Sequence, residues 1–132
     1  MENYPEAALR HWNDAELLIE NSRIENADHH YGFAAECAIK KALVMLPAFS
    51  KKGVLEETYL EHINILWDRV THQSLQKVYP ELLAVLRSKN PFSGWHVRQR
   101  YAKDGEILDK DLSLHKKFAS RLLGSVGLIG GR

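Results

Sequence analysis

The sequence lacks the residues that would mark it for several familiar classes. Its 132 residues include one cysteine, Cys37, so no disulfide can form within the chain. A lone cysteine also removes the paired thiolates of zinc fingers, leaving only His and carboxylates as ligands, and no His-Glu-x-x-His run is present; the expectation is no metal and no cofactor. Neither a Walker-type glycine loop nor a G-x-S-x-G elbow occurs. The longest apolar stretch, Ala42 to Phe49, contains Pro47 and is far too short to span a bilayer. The opening Met-Glu-Asn-Tyr-Pro-Glu has neither the basic region nor the apolar stretch of a secretory signal. A soluble, cytoplasmic domain without membrane attachment is the expectation.

Net charge is equally uninformative at first, at +1 for 15.1 kDa. Its distribution is not. Residues 1–81 hold eight Lys/Arg against thirteen Asp/Glu, whereas residues 82–132 hold ten against four. The basic excess has a local centre: from Leu82 to Lys103 there are five Lys/Arg and no acidic residue. A chain of this length makes one domain with a real core and no second one.

The apolar spacing is helical almost throughout. Ala8, Trp12, Ala15 and Ile19 recur every three or four residues behind Pro5. Asn26 or Asp28 is placed to cap a second helix running to about Leu46, with Tyr31, Ala35, Ala38, Ala42 and Met45 on one face and Pro47 as its stop. Gly32, Ala34, Ala35 and Ala38 would let a neighbouring helix approach closely. After a loop at Lys51, Lys52 and Gly53, a third helix carries Ile63, Leu66, Trp67 and Val70 behind His62. A fourth pattern, Leu75 to Leu86, contains Pro80 and predicts a kink or a fresh start there. A last helix fits Asp111 to Gly124. The expected fold is all-α, an up-and-down bundle of four to five helices over residues 1–123, with a flexible tail at 124–132. One long structured loop, about 90–109, breaks the periodicity. Within it Trp95, Val97, Gln99 and Tyr101 alternate with His96, Arg98 and Arg100, which suggests an extended segment without excluding a helical turn.

Two constellations can carry chemistry. On the second helix His29, Gly32, Phe33, Glu36 and Lys40 fall on one stripe. Glu36 and Lys40 have the spacing of an ordinary ion pair, yet Glu36 sits in the most apolar helix and would need a cationic partner if buried. Cys37 reads as core packing. The second constellation is Trp95, His96, Arg98, Arg100, Tyr101 and Lys103. Cations that track phosphates, interleaved with rings on which bases stack, suit single-stranded nucleic acid or nucleotides. The competing reading has Trp95 and Tyr101 plugging the bundle while Arg100 pairs with Glu36. Arg69 and His72 have a weaker spacing for phosphate.

Three pieces resemble the HEPN superfamily of small helical-bundle proteins. They are Ala27 to Leu43 (ADHHYGFAAECAIKKAL), His62-Ile63 to Leu66-Trp67, and Trp95 to Arg100-Tyr101. With the first helix, the resemblance covers most of residues 7–123. It implies a homodimer that associates with RNA or nucleotides, in some members as a toxin or a stress protein paired with a nucleotidyltransferase-like partner. Many members are metal-independent ribonucleases with Arg, four to six residues, then His. Here no His follows Arg98 or Arg100 before His115, and Arg23 to His29 fits the spacing only at the join of the first two helices. Turnover is thus left open. If RNA is cleaved, His96 is the candidate acid or base and Arg100 would stabilise the phosphorane charge during attack by the 2′-hydroxyl. Glu36 and His29 would be the supporting polar pair. The reading of another class is a non-catalytic interaction module.

Overall fold

The computed structural model describes residues 2–128. Among them three long helices make the body of an all-α bundle: α1 (Tyr4–Glu20), α2 (Ile24–Val44) and α5 (Asp109–Ser125). Two helices of seven residues, α3 (Ile63–Arg69) and α4 (Pro80–Leu86), complete it. At the start of α1 the Asn3 side chain accepts a hydrogen bond from the Glu6 N–H at 3.1 Å, and Pro5 needs no partner in the first turn. Ala8, Trp12 and Ala15 are buried along one stripe. The three-residue join to α2, with Ser22 at φ 58°, folds the two helices into an antiparallel hairpin.

Helix α2 begins earlier than expected. Its cap position is Arg23, and neither Asn26 nor Asp28 caps it; Asp28 lies inside the helix and is fully buried. Tyr31, Ala35, Ala38 and Ala42 face the core as expected, but Met45 is past the helix end and 72% exposed. Packed by α1 on one side and α5 on another, α2 is the central element. Its small residues have a different use from the one expected at Gly32. That position is covered by the Trp95 indole, with which a Cβ would overlap.

The Lys51–Gly53 region is a short hairpin rather than a plain loop. Strands β1 (Ser50–Lys51) and β2 (Val54–Leu55) pair antiparallel with Ser50 opposite Leu55. Lys52 and Gly53 both take positive φ, 52° and 76°, as a two-residue turn matching strand twist requires. Pro80 opens α4 cleanly, because its fixed φ and missing N–H suit a first turn.

The C-terminal expectation is corrected in part. Residues 124–128 are packed: Gly127, at φ 81°, donates to the Gly124 carbonyl at 3.1 Å, and the Leu128 N–H reaches the Leu123 carbonyl at 2.9 Å. These two bonds satisfy carbonyls that the end of α5 would leave open. Val126 and Leu128 are buried, and Lys41 Nζ donates to the Val126 carbonyl at 2.9 Å. Residues 129–132 of the expected tail lie outside the described residues. No helix among the described residues is long and apolar enough to cross a membrane.

Between α4 and α5 the chain runs through a 3-10 turn, Val97–Tyr101, where alternation suggested an extended run. The alternation still reports sides through residue 100. Trp95 is buried and Val97 and Gln99 half-buried, while His96, Arg98 and Arg100 are exposed. The rule fails at Tyr101, which is 75% exposed.

Candidate nucleic-acid interface

The 97–101 turn is held by a buried polar network that links α2, α5 and the connecting segment. Asp28 is its centre. One carboxylate oxygen, Oδ1, lies 2.7 Å from His115 Nδ1, and Oδ2 accepts from Gln99 Nε2 at 2.8 Å. The Asp28 backbone carbonyl accepts from the Trp95 indole N–H at 3.2 Å. His115 Nε2 faces the Pro91 carbonyl at 3.0 Å; a carbonyl only accepts, so this nitrogen carries a hydrogen. One further proton lies between Nδ1 and Oδ1, which makes the Asp28–His115 pair neutral as a unit. The ring also stacks on Phe92, with centroids 4.9 Å apart. Thus a carboxylate with no solvent exposure has its partners supplied from elements 71 and 87 residues away.

The turn caps itself as well. The His96 N–H donates to Gln99 Oε1 at 2.9 Å, and His96 Nδ1 accepts from the Arg98 N–H at 3.1 Å. Gln99 therefore bonds the turn at one end of its amide and Asp28 at the other. The result is a rigid display of exposed Arg98, Arg100 and Tyr101, with exposed Lys103 just beyond. The Arg100 guanidinium lies over the Tyr101 ring, 4.9 Å from its centroid.

The same geometry sorts the expected site residues. Trp95 is fully buried over Gly32 and offers no face to a base, so it plugs the bundle. His96 is exposed, but Nδ1 is occupied by the Arg98 N–H. In its neutral form it presents an Nε2–H donor and no free base. The expected Arg100–Glu36 contact is absent: Glu36 is buried and accepts from Lys40 Nζ at 2.9 Å, with His62 Nδ1 3.0 Å from its other oxygen. Glu36 does find the cation that burial demands, but on its own helix, where a buried Lys40 is one turn away. His29 is not its partner. It is 7% exposed, stacked on Trp95 at 5.3 Å, and its Nε2 has no hydrogen-bond partner. Arg69 is paired with Glu61 at 3.3 Å. Cys37 has its thiol pushed up to about 12, by burial and then by neighbouring Glu36, as suits a packing residue.

Two clefts flank the turn. One of about 700 Å³ runs between it and the start of α2, lined by Arg23 and Arg100 but also by Glu25, Asp104 and Asp109. The other, about 580 Å³, has Asp28 and His115 at its wall and Lys89, Glu106 and Phe118 around it. The carboxylates in the first cleft oppose phosphate there; Arg100 lines this cleft, whereas the exposed Arg98, Tyr101 and Lys103 lie outside its lining. Among the described residues no group of three or more His, Cys, Asp or Glu is placed to hold a metal ion.

A sequence reading had no means to find Asp28–His115–Gln99. Asp28 resembled a helix cap, and no spacing rule connects residues so far apart. The fold and this surface define an all-α bundle that displays a basic, aromatic turn. Comparison with protein-family models, curated proteins and solved structures finds no match to this chain.

Proposed function

We propose that this protein is a HEPN-like RNA- or nucleotide-binding domain that takes single-stranded RNA on the outer face of the 97–101 turn. The observation that carries the reading is the exposed Arg100–Tyr101 pair on a turn whose backbone is tied to the core through Gln99 and Asp28. Tyr101 offers a face for one base, and Arg98, Arg100 and Lys103 provide cations for the adjoining phosphates. Because the network fixes the turn beforehand, little ordering cost falls on binding. A duplex would hide its base faces from Tyr101, which is why the single strand is preferred.

The proposal is one of binding. His96 has one ring nitrogen engaged by the Arg98 N–H and Arg100 lies over Tyr101, so the proposal assigns neither the acid–base role to His96 nor phosphorane stabilisation to Arg100. The resemblance that points to RNA also implies a homodimer and, in stress or defence systems, a nucleotidyltransferase-like protein partner.

Fluorescence anisotropy of labelled oligouridine across a salt series tests the reading. Affinity should fall steeply with salt, with a log–log slope of about −0.7 per phosphate contacted. Removing Arg98, Arg100 or Lys103 should reduce that slope one contact at a time. Absence of binding at low salt would refute the proposal. Salt-insensitive capture of a protein partner would instead favour the interaction module. Incubation of labelled RNA in EDTA decides turnover by the presence or absence of 2′,3′-cyclic phosphate ends.

A further inference from the structure

Three histidines lie in a row from the seam of α1 with α2 to Trp95, and the binding surface does not use them. His11 Nδ1 on α1 and His30 Nδ1 on α2 are 2.9 Å apart, with ring centroids 5.1 Å apart. The nitrogens therefore point at one another along the line of centres. Only one hydrogen fits on such a line, so one ring must present a bare nitrogen to the other. This arrangement also argues against a metal clip, whose lone pairs would converge on a third point instead of facing each other.

His29 extends the row toward the turn. Its ring sits 6.4 Å from that of His30 and 5.3 Å from Trp95, stacked on the indole that precedes the turn by two residues. Its Nε2 is buried without an acceptor, so a proton added there would be a buried, unbonded charge. Phe33 touches all three imidazoles and Trp95, with centroid distances from 4.6 to 6.3 Å.

We infer that His11, His30 and His29 form a proton-operated latch that holds the turn against α2 at neutral pH and releases it in mildly acidic solution. The groups facing each ring are consistent with this direction. His11 meets burial first, then His30 and Arg10, all opposing a proton, with Asp14 and Glu36 favouring it. Burial opposes a proton on His30, which faces His11 across the seam and has Asp14 in its favour. For His29, burial, His30 and Arg100 oppose the charge, while the Val97 backbone and Asp28 favour it. Two of the favouring carboxylates are committed elsewhere, Glu36 to Lys40 and His62 and Asp28 to His115 and Gln99. Acid therefore favours whichever arrangement exposes these rings, and His29 cannot become exposed without giving up its stacking on Trp95. The inference rests on the binding proposal only for what the turn does; the latch itself needs no ligand.

Nuclear magnetic resonance of the full chain from pH 8 to pH 5 tests it. The Trp95 indole N–H and the amides of 97–101 should shift together with the His29 ring, and exchange of those amides should quicken at least tenfold. The Trp67 indole, bonded to the Ser88 carbonyl, should hold still and so exclude global unfolding. His29→Phe keeps a ring against Trp95 but cannot titrate, and should leave the turn protected throughout. His30→Gln removes a charge that opposes the His29 proton and should move the transition to higher pH. A turn unmoved at pH 5 in the wild type would overturn the latch. So would a transition persisting in His29→Phe, which would assign it to Asp28–His115, or an unmoved midpoint in His30→Gln. Oligouridine anisotropy at pH 7.5 is read separately: no binding there overturns the binding proposal and leaves the latch to the resonance data.

Discussion

Replacing Asp28 with alanine should do more damage than any other single change at this site. The carboxylate has no solvent exposure and serves His115 Nδ1 and Gln99 Nε2, at 2.7 and 2.8 Å. Its loss leaves the half-buried Gln99 amide and the buried His115 Nδ1 without their partner, and breaking a buried pair in this way costs about 3–5 kcal/mol. Against a total stability of roughly 5–15 kcal/mol, that is a large share. At this chain length it corresponds to a drop in Tm of about 12–20 °C. Asparagine should behave differently. Its oxygen can accept from Gln99 while its NH2 donates to His115 Nδ1, with Nε2–H still bonded to Pro91. Every bond is kept, but two neutral ones replace charge-assisted ones, so Asp28→Asn should cost only about 1–2 kcal/mol. Urea and thermal melts at pH 7 measure both. Amide exchange of 97–101 should rise in the alanine variant before the global transition. An alanine variant within about 1 kcal/mol of wild type would refute the reasoning, since the network would then not be a closed set of obligatory bonds. Asparagine as damaging as alanine would refute the assigned donors and acceptors.

Other perturbations probe the remaining contacts. Gly32→Ala forces a Cβ into the Trp95 indole and should destabilise by about 1–3 kcal/mol with a changed Trp95 environment, read by melting and indole resonances. Burial holds His11, His29 and His30 below the ordinary 6.5, so their contribution is full above that value and is lost as pH falls through it toward their folded values. Urea titrations at pH 8 and 5.5 should show lower stability in acid, and equal stability would contradict this. The half-buried Cys37 thiol, pushed up to about 12, should react with iodoacetamide at pH 8 far more slowly than in the unfolded chain, as mass spectrometry would show. Tyr101→Ala should weaken oligouridine binding by about 1–3 kcal/mol without moving the Tm, the cost of one lost stacking platform.

Local physics accounts for the parts that could be read directly. Three- and four-residue spacing placed α1, α2, α3 and α5, because burying a stripe on a helix demands that period. Pro80 marked its own helix start, and the acid-free run around Arg98 and Arg100 marked the basic surface. Glu36 could be seen to face inward from the apolar residues on either side, since a neighbouring sequence reports burial. The choice of partner could not be seen, because Lys40 one turn away and Arg100 across the bundle satisfy the same carboxylate equally well on paper.

Residue spacing alone specified an all-α class, the long helices and an acid-free cationic run over 82–103, and left open both the conformation of that run and whether Tyr101 faces the core or solvent. Packing of the whole chain was needed to bury Trp95 over Gly32 while Tyr101 stays out, to make Asp28 a hub instead of a cap, and to bring His11 to His30. The physical reason is range. Helix periodicity and capping act within one or two turns, whereas a buried polar group takes its partners from whatever the packed chain brings within 3 Å, here Gln99 and His115.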